Sequence, residues 1–426
     1  VGTATAAYLA NVYHDVVGVD INQHTIDLVN SGRAPVIEPG LDELVRDAVQ
    51  GGKLKATFDS RSAVLQSELS IIAVAAPVTQ DGGIDTTVLK RVCTKLGQVL
   101  AQKESFHTFV MRGSAAPGTT EDVVIPILED TSGKKVFLDF DVCVNPHFLR
   151  AGSVVHDCKR PPIVLIGQQD DRAGNRVVEL FDGSKTTVVR TSIRSSELIW
   201  HMSNLYRTFK QCFSIEAAAL CKSAGTDAVE VMDVLSALEQ PNFNSDDIGS
   251  FSLRTDQAGM NLAAIKQSTD TTTACKLPLL ESFEESQIEH VSRVVALVGD
   301  SGKGKVGIAG VTVSPGSAEL RGSTMIAIAS ALRAKGHDVR VFDHALSAAH
   351  ARLPIKLDES IGQSLIDSMA GSMDELFNWA DVIVIGHKEP EFEYLASLDA
   401  GKTVIDLVRV SRDITDSPDS YVGLYW

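Results

Sequence analysis

No two cysteines in this chain stand in a CxxC spacing. The six, Cys93, Cys143, Cys158, Cys212, Cys221 and Cys275, are scattered singly. That pattern excludes a zinc ribbon and a disulfide framework, and reads as the reduced thiols of a cytoplasmic protein with no metal site. No apolar run approaches the ~18 residues of a membrane span, and no secretory leader opens the sequence, so no membrane partner is expected. Positive charge is also scarce. Lys and Arg total 39 against 55 Asp and Glu, a formal net charge of −16. Such a field repels nucleic acid and anionic lipid, while one small anionic ligand could still be held by local amides.

What is present is ordinary globular material. Apolar residues make up 44% and charged residues 22%, and 426 residues suggest two or three domains at roughly 150 each. Through residue 194 short apolar runs alternate with helical stretches. Val16–Asp20, Leu69–Val74, Thr108–Met111, Val136–Leu138 and Pro162–Gly167 read as strands; Ile26–Asn30, Leu41–Val49 and Val88–Ala101 read as helices. Short apolar strands separated by helices predict a parallel sheet covered on both faces. Residues 195–298 read as all-helical. Leu198, Met202, Leu205, Phe209, Phe213 and Leu220 recur at helical spacing, predicting one long helix whose stripe serves core and subunit packing. Further helix is predicted over Val229–Leu238 and Leu279–Val298. Alternation resumes in 299–426, with strands at Lys305–Gly310, Val339–Asp343, Asp381–Gly386 and Thr403–Leu407 and helices at Ser323–Lys335 and Met373–Trp379. The expected fold class is α/β: two Rossmann-like parallel-sheet domains joined by a helical region with one long helix.

Asp20 closes a strand, where a dinucleotide site places the acid that binds the adenosine ribose. Gly2 stands where the last glycine of a GxGxxG turn would stand. The earlier glycines and the strand before them are not in this chain, so the N-terminal domain reads as truncated. Alone the pair is weak; a packing glycine and an ordinary strand-end carboxylate explain it equally well.

Several phrases together carry more. Glu38-Pro39-Gly40-Leu41, Asp81-Gly82-Gly83-Ile84-Asp85, Arg112-Gly113-Ser114-Ala115-Ala116-Pro117-Gly118-Thr119, Asn145-Pro146-His147-Phe148-Leu149-Arg150, Lys305–Gly310, Arg321 and the closing Gly423-Leu424-Tyr425-Trp426 occur in this order along the whole chain. So read, the chain resembles the UDP-glucose/GDP-mannose dehydrogenase family, nearest its bacterial GDP-mannose branch. The resemblance implies an NAD-binding domain over 1–194, a helical dimerisation domain over 195–298 and a nucleotide-sugar-binding domain over 299–426. It also implies NAD as cofactor, a nucleotide sugar such as GDP-mannose as ligand, and a polysaccharide-biosynthesis context. The implied assembly is a homodimer, or a hetero-oligomer with an active relative. Gly2, Asp20, Pro77 and Ser114 fall at cofactor positions. Phe148, Leu149, Arg150, Asn204, Lys210, Arg254 and Arg321 fall at substrate positions.

The family's reaction oxidises a sugar alcohol twice, through an aldehyde held on a thiolate, with a cation at the developing oxyanion and an acid or base for the protons. At those catalytic positions this chain carries Ser114, His147, Asn204, Gln257 and Asn261. The cysteine is replaced by Gln257, or by Ala258 if the alignment slips by one. A glycine pair becomes Arg254 and Thr255, the glutamate of NPEFLRE becomes His147, and the lysine of KYxxN becomes Trp200. Asn204 and Lys210 match. Loss of a nucleophile alone typically costs about 10⁴- to 10⁶-fold in turnover. The expectation is therefore an inactive or impaired member that still folds. The alternative is an active NAD-dependent oxidoreductase of altered chemistry, taking an alcohol to an aldehyde with His147 as base. Each substitution also has a plainer explanation: His147 as a hydrogen-bonded loop residue, Arg254 as a solvated arginine, Cys275 as an ordinary thiol, Trp200 as filler for the space a lysine left.

Overall fold

The computed structural model describes residues 1–74, 84–113, 115–181, 186–238, 264, 278–302, 304–352, 367–397, 401–410 and 420–424. By compactness the chain divides into two units. One comprises Val1–Leu205 and Gly259–Lys276, the other Tyr206–Ala258 and Leu277–Trp426.

The first unit opens with helix α1 (Gly2–Asn11), then β1 (Val16–Val19), α2 (Gln23–Asn30), α3 (Leu41–Gln50) and β2 (Leu54–Thr57), which pairs parallel to β1. After α4 (Ser60–Gln66) comes a five-stranded sheet of β3 (Leu69–Ile72), β4 (His107–Met111), β5 (Phe140–Val144), β6 (Val164–Gly167) and β7 (Val188–Thr191), in that spatial order. Between them run α5 (Thr87–Leu100), α6 (Ile125–Ser132), α7 (Val154–Lys159) and α8 (Asp171–Leu180). The central strands are buried on both sides because their two faces feed two separate cores. Val110 and Cys143 face Ala7, Leu41 and Val45; Phe109, Met111, Phe140 and Val142 face Leu96, Leu100 and Leu128. Phe109 and Phe140 are fully buried and meet edge-on at 6.1 Å, each worth about 1.5–3 kcal/mol of burial. The sheet is parallel except at one junction, where β5 meets β6 antiparallel through Val144 and Gly167.

The long helix α9 spans Ile193–Ser223, 31 residues or about 46 Å at 1.5 Å per residue. α10 (Ala228–Leu238) follows. The stretch predicted as one helix over 279–298 is two, α11 (Pro278–Glu281) and α12 (Phe283–Asp300), parted at Ser282. The second unit's sheet contains β8 (Lys305–Ala309), β9 (Asp338–Phe342), β10 (Val382–Ile385), β11 (Thr403–Asp406) and β12 (Tyr421–Gly423) in the order β12-β11-β10-β8-β9, every pair parallel. α13 (Thr324–Ala334), α14 (His344–Arg352) and α15 (Met373–Trp379) lie between its strands. This order reverses direction between β8 and β10, and in such sheets the crevice at the carboxyl ends of those strands is where ligands bind.

One reading of the sequence needs correction. Val136–Leu138 is not a strand. It is a turn in which Phe137 takes φ of +64° and Asp139 accepts from the Lys135 amide; the strand begins four residues later, at Phe140. Of the stripe on α9, Leu205 is buried and Phe209 half-buried, while Leu198, Met202, Phe213 and Leu220 are 37%, 48%, 41% and 69% exposed; the helix also buries Glu197, Trp200, His201, Cys212 and Ile215.

Candidate functional site

Three segments meet at the carboxyl edge of the first unit's sheet: the turn after β4, the loop after β5, and the first three turns of α9. Arg112, just beyond β4, is buried. Its Nε donates to Thr5 Oγ1 in α1 at 3.1 Å and its Nη1 to the Asn145 side chain. Asn145 passes the contact on, donating from Nδ2 to the Leu165 carbonyl at 2.8 Å. A buried guanidinium thus ties three strands together at their ends, with Tyr8, Phe148, Cys158 and Phe181 lining the same cavity.

The turn itself is gripped by α9. Glu197, buried, accepts from the Gly118 amide at 2.6 Å, the Thr120 amide at 3.0 Å and Thr120 Oγ1 at 2.6 Å. One helical turn on, His201 Nε2 lies 2.7 Å from the Ala115 carbonyl, on the same helix face. Gly118 has φ of +94°, a backbone conformation that L side chains rarely adopt, so the glycine of the family-like Pro-Gly-Thr phrase is required by geometry. Burial pushes the Glu197 carboxyl up to about 7, against the donors from Thr120 and Gly118 that favour its ionised form.

The loop after β5 is pinned from both ends. Arg150 donates from Nε and Nη2 to both oxygens of Asp157, at 3.0 and 2.7 Å, and Glu38 Oε2 accepts from the Gly152 amide at 2.9 Å. Desolvation of Asp157 is outweighed by these bonds, and its carboxyl is held below the usual range. Between the pins, His147 presents its carbonyl to the Trp200 indole Nε1 at 2.8 Å. The indole is buried and lies edge-on between the rings of His147 (6.0 Å) and His201 (4.9 Å). Asn204 donates back to the Trp200 carbonyl at 3.1 Å.

Of the residues the sequence marks, His147, Phe148, Leu149, Arg150, Asn204 and Trp200 are thus placed in the first unit, around the β5 loop and α9. Asp20 is there too, half-buried at the end of β1 with Oδ1 accepting from the Asn22 amide at 2.8 Å, and Gly2 is the first residue of α1. Lys210 lies in the second unit, over the Tyr206 ring at 5.8 Å, as does Arg321, whose amide donates to Glu319. Pro77, Ser114, Arg254, Gln257, Asn261 and Cys275 lie outside the described residues.

Sequence reading missed Glu197 and His201. The signal was a carboxylate and an imidazole four apart on the inward face of a helix. It also missed the second unit's polar knot. Asp343, directly after β9, is fully buried. Its Oδ2 accepts from the Val311 and Thr312 amides (3.1 and 3.0 Å), from Thr312 Oγ1 (2.7 Å) and from His387 Nε2 (3.2 Å); its Oδ1 accepts from the Leu346 amide at 3.1 Å. Burial raises this carboxyl, and the bonds and charge from His387 and Thr312 more than reverse that. Gly310, at φ of +81°, lets the turn after β8 pass under the His387 ring, which a Cβ would meet at 2.8 Å.

Comparison with known proteins agrees along the whole length. The profile described as "UDP-glucose/GDP-mannose dehydrogenase family, NAD binding domain" matches residues 1–185. GDP-mannose 6-dehydrogenase of Pseudomonas savastanoi pv. phaseolicola is 34% identical over 439 aligned positions, covering 100% of this chain and 98% of that protein. The same-named protein of Pseudomonas aeruginosa is 31% identical, covering 96% and 94%. Among solved structures, a ternary complex of GDP-mannose dehydrogenase from Pseudomonas aeruginosa matches at 30% identity with a TM-score of 0.56, covering 100% of this chain and 98% of that one. A UDP-glucose dehydrogenase from Pyrobaculum islandicum, at 23% identity and a TM-score of 0.85 over 100% and 95% of the two chains, shares the fold. Among the described residues no helix is long and apolar enough to cross a membrane.

Proposed function

This chain belongs to the UDP-glucose/GDP-mannose dehydrogenase family, with that family's NAD-binding domain at its N-terminal end, and from this premise we propose that it is a catalytically silent GDP-mannose 6-dehydrogenase-like member. The observation that carries the reading is the surrounding of Trp200. By resemblance, a lysine at this position would steady the negative charge that grows on the sugar oxygen. Here a buried indole fills the place, donates its one proton to the His147 carbonyl and is wedged between two imidazoles. An indole N–H already committed to a carbonyl offers an oxyanion neither charge nor a free donor. The family's glutamate is replaced alongside it by His147, and the position of its cysteine by Gln257 or Ala258.

NAD, when bound in such a domain, accepts hydride. Two features of this chain fit it. Among the described residues α1 has no side-chain cap at its N-terminus, where Val1 is the N-cap, and helix-terminal amides are the kind of group that receives a pyrophosphate. Asp20 has one oxygen engaged by Asn22 and stands at a strand end, as a ribose-binding acid does. The division into an NAD-binding part (1–194), a helical pairing part (195–298) and a nucleotide-sugar part (299–426) is our functional partition. Pairing of two copies, or of this chain with an active relative, is supported by the exposed apolar stripe of α9, since a row of large apolar side chains on a surface marks an interaction site.

Purified protein supplied with NAD and GDP-mannose is expected to make no NADH above background, while calorimetry detects NAD. Steady NADH production overturns the silent reading. If that production stops at one NADH per sugar and is abolished by His147→Ala, the chain is instead an oxidoreductase of altered chemistry. Sedimentation showing only monomer would remove the pairing.

A further inference from the structure

The polar knot at the second unit's sheet edge extends outward into a cluster that the family reading leaves unused. His344, the first residue of α14, reaches Glu391 with Nε2 2.6 Å from Oε2. Glu389 stands beside them, so that one ligand atom from each of His344, Glu389 and Glu391 lies within 4.8 Å of the others. Behind Glu389 is His387, whose side chain is only 9% exposed and whose Nδ1 faces Glu389 Oε1 at 3.5 Å.

Two buried atoms here lack a hydrogen-bond partner among the described residues: His387 Nδ1 and Glu391 Oε1. Leaving such atoms unpaired is costly, so a native fold retains them for a reason. The His387 ring is not free to turn away. Its Nε2 is fixed on Asp343, which is itself held by three backbone amides. Nδ1 is thereby held toward the Glu389 carboxylate, without a hydrogen-bond partner of its own.

We propose that His344, Glu389 and Glu391, with His387 fixed behind Glu389 by Asp343, form a binding site for one divalent transition-metal ion of the zinc class. An imidazole beside two carboxylates favours zinc and its neighbours over magnesium or calcium, which take oxygen alone. Ligand atoms on a tetrahedral zinc at ~2.0–2.1 Å stand about 3.3 Å apart; His344 and Glu391 stand at 2.6 Å and the three atoms lie within 4.8 Å of one another, so closure needs shifts of no more than about 1.5 Å. An Asp–His pair behind a ligand cluster is the arrangement that orients metal sites elsewhere. The ion would join the start of α14 to the loop after β10, both at the carboxyl edge of the sheet. The scattered cysteines gave no hint of this, because no cysteine takes part and the residues come from two segments about 45 positions apart.

The test uses the full chain, stripped with chelator and dialysed against zinc. The expected result is one zinc per chain by elemental analysis, retained against a thousandfold excess of magnesium, with a raised thermal midpoint. His344→Ala and Glu391→Gln should each weaken binding more than tenfold, and His387→Gln about tenfold. His344 is 61% exposed at its side chain, so its variant tests the site without threatening the fold; circular dichroism checks this. Cobalt should give the intense visible bands of a tetrahedral centre, lost in His344→Ala. No stoichiometric zinc in the wild-type chain overturns the proposal, with a proton bridging His387 and Glu389 instead. Zinc uptake unchanged by His344→Ala and Glu391→Gln overturns it equally, because the ion would then sit elsewhere.

Discussion

The two α/β units repeat one device and use it differently. Each has an aspartate immediately after an early strand: Asp20 after β1, Asp343 after β9. In the first unit that carboxylate is half-buried and accepts a backbone amide at one oxygen. In the second it is fully buried, and five donors converge on it. A strand-end acid therefore has no single meaning. Whether it faces a ligand or organises a turn depends on how many donors the following loops deliver, and that is a property of tertiary packing.

The sharpest way to break this comparison is to remove both acids. Asp343→Ala leaves three amides, a hydroxyl and an imidazole N–H without an acceptor in a buried place. A loss of about 3–5 kcal/mol is expected, read as a fall in the denaturant midpoint of the second unit. The sign with pH follows from the depressed carboxyl: its contribution is complete above the ordinary Asp range and is lost as pH falls through the lower folded value. If Asp343→Ala costs no more than a surface substitution, the contrast between the units fails.

Glu197 in the first unit supplies the opposite sign. Its carboxyl is raised to about 7 by burial, above the unfolded value, so the folded state holds a proton that the unfolded state releases. Stability from this group is complete below about pH 4.5 and declines as pH rises toward 7. The decline should be of order 3 kcal/mol at 1.36 kcal/mol per unit. Glu197→Gln should flatten it in a pH series of unfolding curves. A first unit whose stability is level over that range would show that the three donated bonds keep Glu197 ionised throughout.

Much of the architecture was legible because apolar runs bounded by helical periodicity were buried on both faces. β4, β8, β10 and β11 fall where apolar content alone puts them, and so does β3, although it is only partly buried. What escaped was whatever burial did not mark. Val188–Thr191 is an edge strand exposed along most of its length, and Leu54–Thr57 alternates with a lysine. The shift from Val136–Leu138 to Phe140–Val144 has a specific cause. The true strand carries Asp141, a polar residue that reads as loop. Its burial is compensated by Arg172, which donates to both its oxygens at 2.6 and 2.8 Å. The long helix was legible as a helix, but its two apolar faces were not distinguishable. Periodicity marks a stripe without saying whether chain or partner covers it. In the site, the Asn145–Arg150 loop and Asn204 were found by motif. Glu197 and His201 were not, because a carboxylate and an imidazole on a helix read as solvent-facing until the turn they hold is seen.

The smallest expected effect sharpens the comparison most. Asp20→Ala removes a partly exposed carboxylate whose described partner is one amide, and the Asn22 side chain already caps the next helix by accepting from the His24 amide at 3.0 Å. Its cost in stability should stay within about 0.5 kcal/mol, far below that of Asp343→Ala. Calorimetric affinity for NAD should nonetheless fall by about tenfold, because a ribose would lose its acceptor while the helix amides remain. The two readouts separate what the single carboxylate does. Unchanged affinity with unchanged stability would make Asp20 an ordinary strand-end residue, and the likeness between the two acids would then be one of sequence only. A stability loss approaching that of Asp343→Ala would mean the first unit also uses its acid to hold loops, and that its exposure understates how many donors reach it.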